Sequence, residues 1–183
     1  MTVLLCHRTA SRRRFMRGVG AAVLLLPFGA ALARAPERRS LSFVHTHTGE
    51  RLSSVYFQDG EYRAAELGKI NELLRDFRTG DVYPIDTGVL DILADLRTLA
   101  DRDEPYEVIS GYRSPQTNAA LHRHSSGVAE HSLHLQGRAI DVRLPGVPTR
   151  RLRELALGMG RGGVGFYPQT DFVHLDNGRV RYW

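Results

Sequence analysis

Apolar positions along the chain follow two periods, and their alternation sketches a domain. Leu41-Ser42-Phe43-Val44 starts a two-residue alternation that predicts a strand running into His45-Thr46-His47-Thr48-Gly49. Val55-Tyr56-Phe57, closed by Gln58-Asp59-Gly60, predicts a second strand and its turn. From Glu61 to Arg78 the apolar residues Leu67, Ile70, Leu73, Leu74 and Phe77 recur at steps of three and four, the spacing of one helix face, and Thr79-Gly80 ends it. A second helix is predicted over 86–100, where Leu90, Leu93, Leu96 and Leu99 recur every third residue.

The second half is built differently. Tyr106 to Ser110 reads as a strand leading into Gly111-Tyr112-Arg113-Ser114-Pro115, and Gln116 to His124 as a short helix. The polar stretch from Ser125 to Gly137 is long for a connection unless it builds a site. A strand over 139–144, a helix over 149–159 and two strands over 164–167 and 172–176 complete the pattern. Together these predict an α+β domain: a small antiparallel sheet with helices packed on one side. Residues 34–40, rich in charge and containing Pro36, are expected to be a flexible lead-in to a domain over 41–183.

The N-terminal segment stands apart. Arg12-Arg13-Arg14 and Arg17 precede a mildly apolar run from Gly18 that ends in Ala31-Leu32-Ala33. Basic cluster, apolar run and A-x-A site make a secretory signal over residues 1–33, and the paired arginines indicate the twin-arginine route to the periplasm. The run is shorter than the roughly 20 residues a bilayer requires and contains three glycines and a proline. Its loss changes the charge balance. Five of the 25 basic residues and none of the 20 acidic ones lie there, so the formal charge of +5 belongs to the signal. The remainder is neutral and carries no basic stripe, which excludes nucleic acid as a partner; no membrane contact is expected after cleavage. Cys6, the only cysteine, is removed as well, leaving no thiol for a disulfide or a sulfur-ligated metal.

The chemistry concentrates in Ser132-Leu133-His134-Leu135-Gln136-Gly137-Arg138-Ala139-Ile140-Asp141. On a strand from Ala139, Ile140 and Val142 share one face and Ala139, Asp141 and Arg143 the other, with His134 able to fold back across a glycine turn. In Phe172-Val173-His174-Leu175-Asp176, His174 and Asp176 likewise share a face. Two histidines and one carboxylate, with a fourth position left to water, make a common catalytic zinc set. The plainer alternative is polar residues satisfied in a loop and at two strand edges.

The ordered pattern S-x-H-x-x-G-x-A-x-D at 132–141 and H-x-D at 174–176 resembles the D,D-peptidase and Hedgehog-type zinc fold. Within it the chain is most similar to the periplasmic murein endopeptidases of the YcbK-like branch. His47-Thr48-Gly49-Glu50, Leu73 to Arg78, Ser110 to Ser114 and Phe172 to Asp176 carry that likeness over nearly the whole predicted domain. The resemblance implies that His134, Asp141 and His174 hold Zn²⁺. It places Arg113 facing the site, where a guanidinium can grip a substrate carboxylate or steady an oxyanion. Ser132 is expected to hold His134 in place or to contact substrate. Relatives in the wider fold often set an acid three residues before the last histidine; here that is Asp171, the expected general base. Asp176 is the other candidate, as base or as the partner that orients a histidine. His131 is a weaker ligand candidate, Glu130 a possible substrate contact, and His45, His47, His122 and His124 read as surface residues.

The implied activity is zinc-dependent hydrolysis of peptide cross-links in peptidoglycan during wall remodelling, with the D-alanyl–diaminopimelate bond as the expected target. The expected partners are peptidoglycan peptides, met by a monomer. A D,D- or L,D-carboxypeptidase trimming stem peptides, and a wall-binding module without catalysis, are the alternatives.

Overall fold

The structure is a computed structural model and describes residues 37–124 and 127–183. The export signal expected at 1–33 lies outside the described residues. In chain order the elements are β1 (Arg38–His45), β2 (Arg51–Gln58), β3 (Glu61–Tyr62), α1 (Ala64–Leu73), α2 (Thr87–Ala100), β4 (Tyr106–Ser110) and α3 (Pro115–His124). A single 3-10 turn (Leu133–Gln136) precedes β5 (Ala139–Arg143), α4 (Thr149–Met159), β6 (Gly163–Tyr167), β7 (Phe172–Asp176) and β8 (Arg181–Tyr182).

The α+β class stands, but the sheet is neither small nor purely antiparallel. Eight strands lie in the order β3-β2-β1-β4-β5-β7-β6-β8, with β1 parallel to β4 and β6 parallel to β8. The excursion through α1 and α2 is long enough to return the chain to the same end of the sheet, which is what a parallel pair requires. β1 also begins earlier than expected. Arg38, Arg39 and Ser40 pair with Gln58, Phe57 and Val55, so these residues of the expected lead-in belong to the sheet.

Packing follows the apolar stripes. α2 buries Val89, Leu90, Ile92, Leu93 and Leu96, and its first turn is capped by the Asp86 carboxylate accepting from the Gly88 N–H at 2.8 Å. α1 packs on β2, α2 on β1, and α4 on β6 and β7. Ile140, Val142, Val173 and Leu175 from β5 and β7 join this core, each at most 1 % exposed. Each fully buried aliphatic side chain there contributes roughly 1.5–3 kcal/mol.

α1 stops at Leu73, short of the predicted Arg78. The Leu74 carbonyl accepts from the Tyr112 N–H at 2.8 Å, tying the helix end to the segment after β4. Asp76, 1 % exposed, accepts from the Arg78 N–H and from both the N–H and hydroxyl of Ser114. Burial would raise its pKa, and these donors with the Thr117 hydroxyl outweigh it, so the carboxyl lies below its ordinary range. A buried ionised acid needs such donors, and supplying them ends the helix.

Candidate metal centre

The hydrogen-bond register of the sheet builds most of the site. Asp141 on β5 lies directly opposite His174 on β7, Gly165 on β6 continues the row beyond His174, and Ser110 on β4 continues it beyond Asp141. Directly opposed residues on one face bring their side chains together. The core lies behind this row, where Ile140 and Val142 alternate with Asp141.

His134 arrives from the 3-10 turn. Ser132 caps the turn, its hydroxyl accepting from the His134 N–H at 3.4 Å, and Gly137 ends it in a left-handed conformation with φ 63°. A Cβ on Gly137 would stand 2.1 Å from the Pro84 carbonyl oxygen, so this motif glycine is required by backbone angle and by close approach.

At the centre, His134 Nε2, Asp141 Oδ1 and His174 Nδ1 form a triangle with sides of 3.2, 3.1 and 2.9 Å. The outward nitrogens are already committed. His134 Nδ1 lies 2.7 Å from the Gly111 carbonyl oxygen, and His174 Nε2 lies 3.0 Å from Asp176 Oδ2. Both partners accept, so each of these nitrogens carries the proton of a neutral ring and the inward nitrogens present lone pairs. Three acceptors converge at about 3 Å on one point, an arrangement that calls for a cation or a shared proton. Tetrahedral zinc with bonds of 2.0–2.1 Å sets its ligand atoms about 3.4 Å apart. The triangle fits that face after small outward shifts.

The electrostatics agree. Burial alone would raise Asp141, but His134, His174 and Arg113 outweigh it and hold the carboxyl well below its ordinary range. Burial pulls His134 below the ordinary histidine value. At His174 burial also acts downward, yet hydrogen bonds to Asp141 and Asp176 win, and the imidazole is raised.

Arg113 reaches the cluster from the segment after β4. Its Nη2 donates to Asp141 Oδ2 and its Nε to Ser110 Oγ at 2.9 Å, so it clamps the carboxylate oxygen that faces away from the triangle. Asp176 is fully buried. Oδ1 accepts from the N–H groups of Gly163 and Gly178 and from Arg181 Nη1, while Oδ2 accepts from His174 and from Arg181 Nη2. That carboxylate orients His174 and has no capacity left to act as a base.

Asp171 is not brought to the cluster. It lies just before β7, where its φ of 54° turns the chain. Its carboxylate accepts from the Thr149 hydroxyl and lines a separate recess with Glu107 and Arg143. In this structure the Asp171 carboxylate faces Thr149 rather than the triangle. His45, expected at the surface, is fully buried with its ring edge-on to Phe77, because it extends the inward face of Leu41 and Phe43.

A cavity of about 750 Å³ opens over the triangle. One side is aromatic: Tyr167 stacks on Phe172 at 4.6 Å, and Trp183 donates to the Tyr167 hydroxyl at 2.9 Å. The Trp183 ring centroid is 5.2 Å from that of His174, and a Cβ on Gly165 would stand 2.7 Å from the indole. The missing side chain at Gly165 gives the C-terminal residue its seat. Sequence reasoning passed over this wall, although Gly165 and the final Arg181-Tyr182-Trp183 were its only signals. Ser132 and His131 line the opposite loop, which Asn118 holds by donating to the Ala129 and Glu130 carbonyls at 3.1 and 3.0 Å.

An α+β domain with a buried His-Asp-His set at the floor of an open cleft, each histidine fixed by an outer partner, has the make-up of a metal-dependent hydrolase. Comparison with known proteins places it further: the chain belongs to the peptidoglycan L,D-endopeptidase MepK family, whose model matches residues 33–183. Peptidoglycan L,D-endopeptidase MepK from Escherichia coli strain K12 is 39 % identical over 178 residues, covering 95 % of this chain and 97 % of the relative. A probable peptidoglycan L,D-endopeptidase MepK from Haemophilus influenzae is 39 % identical over 168 residues, covering 91 % and 90 %.

Proposed function

We propose that the chain is a zinc-dependent peptidoglycan endopeptidase of the periplasm, exported by the twin-arginine route and hydrolysing peptide cross-links during wall remodelling. The observation that carries this reading is the convergence of His134 Nε2, Asp141 Oδ1 and His174 Nδ1, lone pairs inward, at the floor of the cavity. Two imidazoles and a carboxylate without thiolate suit zinc among the available ions. The L,D designation of the relatives moves the proposed bond away from the D-alanyl–diaminopimelate linkage. It favours an amide joining an L-centre acyl group to a D-centre amine.

His134, Asp141 and His174 would hold the zinc, which would supply Lewis-acid activation of water and of the scissile carbonyl. The chain's own groups do the rest. The Gly111 carbonyl and Asp176 fix the ring orientations of His134 and His174, and Arg113 holds Asp141 in its ligating pose while presenting positive charge to the cleft. Asp141 is the only carboxylate lining the cavity among the described residues. Proton transfer to the leaving amine therefore falls to an imidazole, and His131 and His47 are the two cavity histidines outside the triangle. The test is product analysis by mass on L,D-linked dimers, D,D-linked dimers and uncross-linked stem peptides. Conversion of L,D-linked dimers to monomers is expected. Release of terminal residues from monomers alone would establish a carboxypeptidase, and binding without products a wall-binding module.

A further inference from the structure

Three arginines line the cavity, Arg78, Arg113 and Arg181. Two are committed: Arg113 to Asp141 and Ser110, and Arg181 to Asp176. Arg78 is not. Its backbone N–H is fixed by Asp76 Oδ1 at 3.0 Å, but among the described residues its guanidinium has neither a hydrogen bond nor an ion pair. Neighbouring Asp76 acts on its charge but forms no ion pair with it, its oxygens turned to Ser114 and the Arg78 N–H.

The head group is nonetheless held in place. It lies over the Phe77 ring, 4.1 Å from the centroid, and Phe77 stacks on His47 at 4.3 Å with the planes 12° apart. Partial burial lowers the Arg78 pKa, Asp76 opposes this, and the nearby Arg113 charge adds to it. An exposed arginine that lines the cleft beside a second cation, rests on an aromatic ring and makes no ion pair of its own is suited to receive a planar anion. Asp141 on the floor is fully engaged, so the anion must come from the ligand.

We propose that Arg78 is a carboxylate-binding residue of the cleft, taking the free carboxylate on the D-centre whose amine forms the scissile amide. This rests on the reading of the chain as a cross-link endopeptidase. The chemistry matches: that carboxylate sits one carbon from the amide nitrogen, and Arg78 lines the same cavity as Arg113 and the metal triangle. Fixing it orients the amide and selects cross-links with a free acid over those in which it is amidated.

The test uses the full chain loaded with zinc, as wild type, Arg78→Gln and Arg78→Lys. Two readouts are taken: calorimetric binding of the cleavage product bearing that D-centre as acid or as amide, and kcat/KM on the matching L,D-linked dimers. A product amidated at its other carboxylate is the control. Wild type should favour acid over amide by about 10- to 100-fold. Arg78→Gln should abolish that preference through KM, Arg78→Lys should restore part of it, and the control should behave like the free acid. An acid preference that survives in Arg78→Gln, or an equal loss on acid and amide, overturns the proposal. Selective binding of the acid product without cleavage of dimers would instead overturn the endopeptidase reading and leave the Arg78 assignment standing.

Discussion

Replacing Asp176 with asparagine keeps the side-chain shape and removes one charge from a fully buried position. In the native protein its two oxygens accept five donors: Gly163 N–H, Gly178 N–H, both Arg181 Nη groups and His174 Nε2. Asparagine has one oxygen. Turned toward the backbone, its amino group faces His174 and Arg181; turned the other way, it orphans two N–H groups, one of them buried with Gly163. Each orphaned buried group costs about 1–3 kcal/mol. The Arg181 side chain is 31 % exposed, so water recovers part of its loss. Breaking such a buried charged network sums to about 3–5 kcal/mol, or a fall in Tm on the order of 10 °C for a domain this size. The sign with pH follows from the lowered Asp176 carboxyl, whose burial is outweighed by its donors. Its stabilisation is complete above about pH 5 and fades as the pH falls through the unfolded and then the depressed folded value. The stability gap between wild type and Asp176→Asn should therefore narrow in acid. His174 also loses its orienting acceptor, so zinc affinity should fall about 10- to 100-fold. Urea unfolding of the metal-free protein at several pH values and a zinc titration read both effects. A loss below about 1 kcal/mol with unchanged zinc affinity would refute the reasoning.

Metal uptake should release protons, and more of them as the pH is lowered, because the raised His174 gains a proton more readily than an ordinary imidazole and zinc displaces it. Calorimetry in buffers of different ionisation heat measures it, and no release would contradict the assignment. Gly165→Ala should unseat Trp183, and since the chain has a single tryptophan, its emission should shift to the red; unchanged emission would mean the indole rests elsewhere. Gly137→Ala should destabilise by more than about 2 kcal/mol, from its left-handed backbone and the Pro84 carbonyl in the way; a near-neutral effect in urea unfolding would count against that packing. Asp171→Asn should leave kcat unchanged, since its carboxylate faces Thr149 rather than the triangle; a large fall in kcat would return it to the mechanism.

The sequence was most readable where a single period decides the structure. The helix over 86–100 and the strand at 172–176 match α2 and β7 nearly residue for residue, since an apolar stripe at one spacing leaves one way to face the core. The triangle could be proposed for the same reason: alternation puts Asp141 and His174 outward, and the H-x-x-G turn returns His134. Other features depend on partners distant in sequence. α1 ends early because Asp76 collects donors from Ser114, 38 residues on. The parallel pairing of β1 with β4 is a property of the crossover rather than of either strand. Asp171 as a base rests on the spacing seen in relatives, and its contact with Thr149 depends on a turn at positive φ that spacing does not show. Arg78 gave no local signal and Trp183 only a faint one, because their meaning lies in what they face across the cleft.

The most direct measurement is digestion of purified sacculi by the protein, with chelator, after restoring zinc, and with Asp141→Asn. Metal-dependent hydrolysis at the triangle requires that cross-linked dimers disappear, that chelation stops this and zinc restores it, and that Asp141→Asn is inactive while still folded. Full activity in chelator, or in folded Asp141→Asn with zinc present, would contradict it.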